Sequence, residues 1–328
     1  MKKGLFPEDI LRVQREILAE FTSHFADRGY HLWEAQPILP QEDITLFFNN
    51  SAIVVYKSYM RGEREMEPPG GFVVQPCVRM QILLSEDPAI VPEYMSYFKM
   101  CGAFSPVSSY RSFAEDIWSF FRETLGCTNQ DIQIHATNAH ESLLGPWLDM
   151  PTFAPLVAWD TFPDDYYNWQ FGVEGITGRG LTLAIRNNKA DGFRDVGNIM
   201  EICRDSQPIG YGLGFGLETL ISRLYNLELP IVGAKISLVV PYRDGAWAKY
   251  ADFLQVAAVF YRAGVRPSRR PVGRIVSRLL RALLRSIDYL GISFYECSKS
   301  LDQFELEEFG SVSGISRVII VDLKKLNL

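Results

Sequence analysis

Residues Val73–Arg111, VVQPCVRMQILLSEDPAIVPEYMSYFKMCGAFSPVSSYR, limit what this chain can fold into more than any other stretch. Val73, Val74 and Val78 make a β-prone run around Gln75, Pro76 and Cys77, and Tyr97-Phe98-Lys99-Met100-Cys101 makes a second. Between them lies a loop holding Glu86, Asp87, Pro88 and Pro92. Two such runs joined this way predict an antiparallel hairpin. A loop of that length inside a compact domain is a functional or a disordered segment. Arg79, at the end of the first run, then directs a fixed cation into the space that the loop covers.

The 328 residues are 47% hydrophobic and 22% charged, enough to bury one large core or two. No apolar run approaches the ~20 residues that span a bilayer, so no membrane contact is expected. Two N-terminal lysines are followed at once by acids, unlike a signal peptide. The five cysteines are scattered without a CxxC pair, which points to reduced thiols in a cytoplasm and away from a zinc site. His135 and His140 are five apart, the wrong spacing for one helical face, and read as structural. A net charge of −6 gives no chain-wide attraction to nucleic acid, yet Phe253–Ile287 holds eight arginines and no acid. Arg269, Arg270, Arg274 and Arg278 are its candidate nucleic-acid contacts; the plainer reading is a solvated helix face.

Apolar positions at Ile10, Val13, Ile17, Phe21 and Phe25 predict a helix over Pro7–Arg28, stopped by Gly29. His31–Leu39 reads as extended, Asp43–Gly62 as strand-like and then helical, and Glu63–Gly71 as loop. Ser112–Leu125 is an amphipathic helix with Gly126 as its cap. Asp131–Thr137 alternates as a strand, and Ser142–Trp147 begins a short helix. Asn168–Ile185 is glycine-dense and then strand-like, and Phe193–Cys203 is a further strand. Ile209–Leu224 alternates glycine at 210, 212, 214 and 216 before turning helical. Alternating glycine suits a strand whose face is closely covered by a flat ligand or another backbone. The strict alternation is not the G-x-G-x-x-G of a dinucleotide site. Lys235–Pro241 reads as a strand, Ala246–Gly264 and Val272–Leu290 as helices, and Ser316–Asp322 as a last strand. Hairpins and helices without regular βαβ alternation predict an α+β fold around an antiparallel sheet flanked by helices, followed by a helical domain. The expected division is 1–230 and 231–328.

In this order the pieces resemble the catalytic core of alanyl-tRNA synthetase, a class II aminoacyl-tRNA synthetase, from about Asp9 to Gly291. Asp43–Gly62 is similar to D-P-T-L-L-F-x-N-A-G-M-x-x-F-K, with Asn50 and Lys57 kept. QPCVRM, Gln75–Met80, resembles S-Q-R-C-V-R, so the resemblance puts Arg79 at the motif 2 arginine that holds the ATP α-phosphate. FKMCGAFS, Phe98–Ser105, resembles F-E-M-L-G-N-F-S. NWQFGVEGITGRG, Asn168–Gly180, resembles F-W-Q-M-G-D-T-G-P-C-G-P-C, with Trp169 aligned. Asn198 matches the asparagine of I-W-N, and GFGLET, Gly214–Thr219, resembles the motif 3 run G-M-G-L-E-R. Tyr250–Gly291 resembles the helices that hold the tRNA acceptor stem.

The departures bear on function. The resemblance implies ATP and Mg²⁺, but the motif 3 arginine is Thr219, the Mg²⁺-assisting glutamate falls on Thr182, and the motif 2 glutamate is Lys99. The acid facing an amino-acid ammonium is Gly212. One missing positioned donor costs roughly 10²–10³ in rate, so Arg79 alone makes a thin ATP site. These departures predict a stand-alone paralogue of a side pathway that forms or transfers an activated acyl or aminoacyl group, as an amide or ester, instead of charging tRNA for translation. In that reading Arg79, Lys99 and Glu218 are catalytic, and Trp169, Asn198, Gly212, Gly214 and Phe98 bind substrate. The alternative is a non-catalytic protein that binds a small molecule or tRNA, or regulates a partner enzyme. A homodimer is compatible with either.

Overall fold

The computed structural model describes residues 5–40, 46–84, 93–150, 156–160, 164–187 and 192–326. Its centre is a nine-stranded sheet. The strands are β1 (His31–Leu32), β2 (Gly71–Val78), β3 (Tyr97–Ser105), β4 (Ile132–Ala136), β5 (Leu156–Trp159), β6 (Asn168–Gln170), β7 (Ile176–Asn187), β8 (Gly192–Arg204) and β9 (Gln207–Gly216). Their order is β1-β2-β3-β9-β8-β7-β4-β5, and β6 pairs with β7 beside this path. The interior pairings are antiparallel, whereas β1–β2 and β4–β5, at the two edges, are parallel. The hairpin expected from Val73–Arg111 is β2–β3, in register from Gly71 opposite Phe104 to Val78 opposite Tyr97. Positions 85–92 of its loop lie outside the described residues.

The helices are α1 (Ile10–Ala26), α2 (Lys57–Met60), α3 (Tyr110–Ser119), α4 (Gly145–Leu148), α5 (Leu217–Leu224), α6 (Gly245–Arg262), α7 (Pro271–Leu290), α8 (Phe294–Phe309) and α9 (Ile315–Leu326). Strand side chains alternate between the two faces of a sheet, and the two faces here have different fates. Cys101, Ala103, Tyr211, Leu213, Phe215 and Ile199 turn to α1, α3 and α5, forming one core. There Phe21 meets Phe72, Phe120 and Phe215 edge to face, with centroids 5.6–5.8 Å apart. The opposite face carries Met100, Phe104, Met200 and Ile202, packed with Ala52, Ile53, Tyr56 and Trp33. A third core joins α6–α9 to the open end of the hairpin through Cys77, Val78, Tyr97 and Phe98.

Several local readings are corrected. Residues 41–45 are outside the described set, and 46–51 form no strand; helical turns follow over Ala52–Tyr56 and α2. Of His31–Leu39, only His31–Leu32 pairs in the sheet. Lys235–Pro241 is not a strand: a 3₁₀ turn spans Lys235–Leu238, with the Ser237 hydroxyl bonded to the carbonyl of Ala234 at 2.7 Å. Ser316–Asp322 is not a strand but part of α9. Its β-branched run buries Ile315, Ile319 and Leu323, a four-residue period that packs one helix face and overrides strand propensity. The unread α8 had a signal in Ser293 and Glu296, which form a capping box at its start.

Candidate functional site

Arg79 leaves the end of β2 and is held from two sides. Its Nε donates to the Asn50 carbonyl at 2.8 Å, and its guanidinium carbon lies 5.1 Å from the centre of the Phe98 ring. Its own backbone N–H donates to Ser96 across the hairpin at 2.8 Å. Among the described residues no carboxylate pairs with Arg79, and burial pushes its pKa below the ordinary arginine value. A half-buried cation fixed this way is a ready partner for a phosphate or carboxylate.

The guanidinium lines a cleft of about 320 Å³ on the even-numbered face of the sheet, together with Trp169, Asn198 and Gly214. Asn50 to Ile53 and Gln81 form one wall, Met100, Phe104 and Met200 line the sheet side, and Trp169, Gln170 and Phe171 form the cap. Glycine makes the cap possible. A Cβ on Gly180 would come within 3.0 Å of the Trp169 ring and into the Ile199 carbonyl, so β6 lies flat on β7 only because that atom is missing. Asn198 accepts from the Thr182 hydroxyl at 2.9 Å, which fixes its amide in the cleft.

The glycines of β9 have separate surroundings. Tyr56 covers Gly210, and a Cβ at Gly212 would lie 3.0 Å from the Phe104 ring. Tyr56 and Phe104 are stacked, with centroids 4.8 Å apart, and Trp33 and Tyr59 extend the stack. Gly214, whose nearest neighbour is the Met100 sulfur at 3.7 Å, faces the open cleft. The flat cover expected over this strand is therefore an aromatic wall at Gly210 and Gly212 and open space at Gly214. Gly212 does not line the cleft.

Lys99 and Glu218 do not reach the cleft. Odd positions of β3 face the helices, so Lys99 lies behind the sheet, with Nζ 3.2 Å from Glu308 of α8. The Lys99 N–H donates to Glu218 at 3.1 Å. Lys235 reaches Glu308 at 3.2 Å, and the Tyr97 hydroxyl donates to it at 2.8 Å. Burial pushes the Glu218 carboxyl up to about 7, against the opposing pull of Lys99 and the two backbone N–H bonds. The residues missed in the sequence, Met100, Phe104, Met200 and Phe171, share strand parity or chain proximity with those chosen; parity along β3 was the available signal.

Of the basic stretch, Arg269, Arg270, Arg274 and Arg278 are exposed, as are Arg281 and Arg285. Positions 274, 278, 281 and 285 repeat by four, three and four along α7, one stripe of a helix. Arg278 also donates to the Leu83 carbonyl at 3.1 Å, where the hairpin loop begins. Arg262 and Arg266 instead hold the fold, through Glu305 and the Tyr261 carbonyl.

Among the described residues no three His, Cys, Asp or Glu side chains converge as a metal site, and Thr219, which the resemblance sets at the motif 3 arginine, lies beside Gly216. The Arg79 guanidinium can hold a phosphate or a carboxylate. No helix among the described residues is long and apolar enough to cross a membrane.

Residues 16–178 match the sequence model of the family described as tRNA synthetases class II (A). Over those residues the chain is similar to a class II aminoacyl-tRNA synthetase domain. Its relatives include the alanine–tRNA ligase of Wolbachia pipientis wMel, 24% identical over 77% of this chain and 32% of that one. The alanine–tRNA ligase of Halorhodospira halophila is 24% identical over 90% of this chain and 38% of that protein. The chain thus spans about a third of the length of these relatives. Solved structures similar to it include the Entamoeba histolytica asparaginyl-tRNA synthetase in complex with asparaginyl-adenylate, at 12% identity and TM-score 0.44, covering 70% of this chain and 66% of that one. Another is the apo histidyl-tRNA synthetase of S. aureus, at 11% identity and TM-score 0.42, covering 68% of this chain and 72% of that one.

Proposed function

We propose that this chain forms or transfers an activated acyl or aminoacyl group in a side pathway, making an amide or ester, and does not charge tRNA for translation. The observation that carries this reading is the shared cleft of Arg79, Trp169 and Asn198. An acyl phosphate or acyl adenylate enters with its phosphate at Arg79 and its acyl group under Trp169. An acceptor amine or hydroxyl attacks the acyl carbon, and the C–O bond to phosphate breaks. The electron pair leaves on the phosphate oxygen beside Arg79, and the acceptor proton passes to solvent. Arg79 stabilises the charge that grows on the leaving group. Lys99 and Glu218, bound to each other behind the sheet, keep β3 in place and do not touch the reacting atoms.

Supplying a preformed acyl adenylate with hydroxylamine as acceptor tests the reading. Hydroxamate should form faster than in buffer, and Arg79→Ala should abolish the difference. A rate equal to buffer over a broad acyl panel rejects transfer. Exchange of labelled pyrophosphate into ATP would show that the chain also makes its own adenylate.

The exposed arginine stripe of α7 favours a second reading, in which the acceptor or the bound partner is an RNA such as tRNA. That binding weakens steeply with salt. An RNA mobility shift that is absent, or unmoved between low and high salt, rejects it.

A further inference from the structure

The acyl group itself leaves a signature in the cleft, and this inference rests on the acyl reading above. Arg79 is a cation without a carboxylate partner among the described residues. The polar side chains beside it, Asn50, Gln81, Gln170 and Asn198, are neutral, and no described carboxylate lines the cleft. Two acids near the cleft strands are engaged elsewhere. Glu201 turns to the opposite face, bound by Arg179 and by the Tyr211 hydroxyl at 3.0 Å. Asp160 is bound by the Tyr167 hydroxyl and lies 3.3 Å from His135. Nor can position 212 supply an acid, because the Phe104 ring already stands 3.0 Å from where its Cβ would be.

A free amino acid carries an ammonium that must leave water to bind. Without a counter-charge that transfer is strongly unfavourable, and Arg79 adds repulsion. A plain carboxylate avoids both costs and gains the guanidinium. Apart from Ser51 and Gly214, the rest of the cleft is rings, thioethers and the aliphatic side chains of Ala52, Ile53 and Leu213, surfaces that suit a flat or branched apolar body. We propose that the acyl group this cleft accepts comes from an apolar carboxylic acid without a charged α-amine.

Matched pairs of probes test this: 3-phenylpropanoate against L-phenylalanine, and 4-methylpentanoate against L-leucine, titrated into the full chain by calorimetry. The acid should bind at least tenfold more tightly than the amino acid of the same skeleton. Asn198→Asp, which places a carboxylate in the cleft without changing its size, should narrow that ratio at least tenfold. Gln170→Glu on the cap is the second such variant, read in the same way should Asn198→Asp not fold. Equal or tighter binding of the amino acids overturns the proposal and leaves the acyl-transfer reading standing, since both compounds then occupy the cleft. A preference that neither variant narrows overturns it too, because the discrimination would not come from the missing charge. Failure of all four compounds to bind overturns both the proposal and the acyl-transfer reading.

Discussion

Glu218 stands on the first turn of α5 with its carboxylate on the Lys99 N–H, nearly sealed from water. Its carboxyl is raised from 4.5 to about 7 in the folded protein. Between those values the native state holds a proton that the unfolded chain has released, so stability falls as pH rises through this window and levels off above it. The full swing is about 3 kcal/mol. Urea midpoints of Glu218→Gln should therefore be flatter than wild type from pH 4.5 to 7; parallel curves would show that this carboxyl does not titrate there. Gly212 gives a second residue-scale test. Gly212→Asp drives a side chain into the Phe104 ring and should cost about 1–3 kcal/mol through overpacking. Phe104→Ala opens a cavity of its own in this buried stack, so the double variant should lose less than the sum of the two single losses, and additive losses would mean that the two positions do not meet.

The helices and the hairpin depend on each other at the element scale. Asp252 of α6 accepts from the backbone N–H of Ser96 at 3.0 Å and from the Ser96 hydroxyl, just before β3 starts. Gln255, one turn on, donates to Asp252 at 2.8 Å. Burial raises the Asp252 carboxyl above its usual range, partly offset by these bonds. Asp252→Ala leaves a buried N–H without its acceptor and should cost about 1–3 kcal/mol in thermal or urea unfolding; a change under about 0.5 kcal/mol would place the link elsewhere. Elements whose period shows in their own residues were legible in the sequence: β2–β3 from its two valine- and aromatic-rich runs, α7 from its apolar repeat between arginines. α9 was not, because Val318-Ile319-Ile320-Val321 favours a strand locally and only packing of Ile315, Ile319 and Leu323 decides otherwise. The cleft was half legible. Arg79, Trp169 and Asn198 stood out by motif, but the placement of Lys99 and Glu218 depends on strand parity and on α8, which the sequence reading left out.

For the molecule as a whole, an acidic chain presents a basic helix stripe, whose Arg278 bonds the Leu83 carbonyl two residues beyond Gln81 of the cleft. If RNA lies on α7, each phosphate contact adds roughly 0.7–0.9 to the slope of log affinity against log salt. Arg274→Ala with Arg281→Ala should lower that slope by about two such steps while leaving the unfolding midpoint unchanged; an unaltered slope would clear the stripe of RNA contact. The central claim, that Arg79 and Trp169 share one acyl-phosphate site, is tested most directly by a hydrolysis-resistant acyl-sulfamoyl adenosine carrying 3-phenylpropanoate. Titrated into wild type and Arg79→Ala, it should bind the wild type and lose about 10–100-fold on removal of the guanidinium. Equal affinity for the two proteins would contradict the claim.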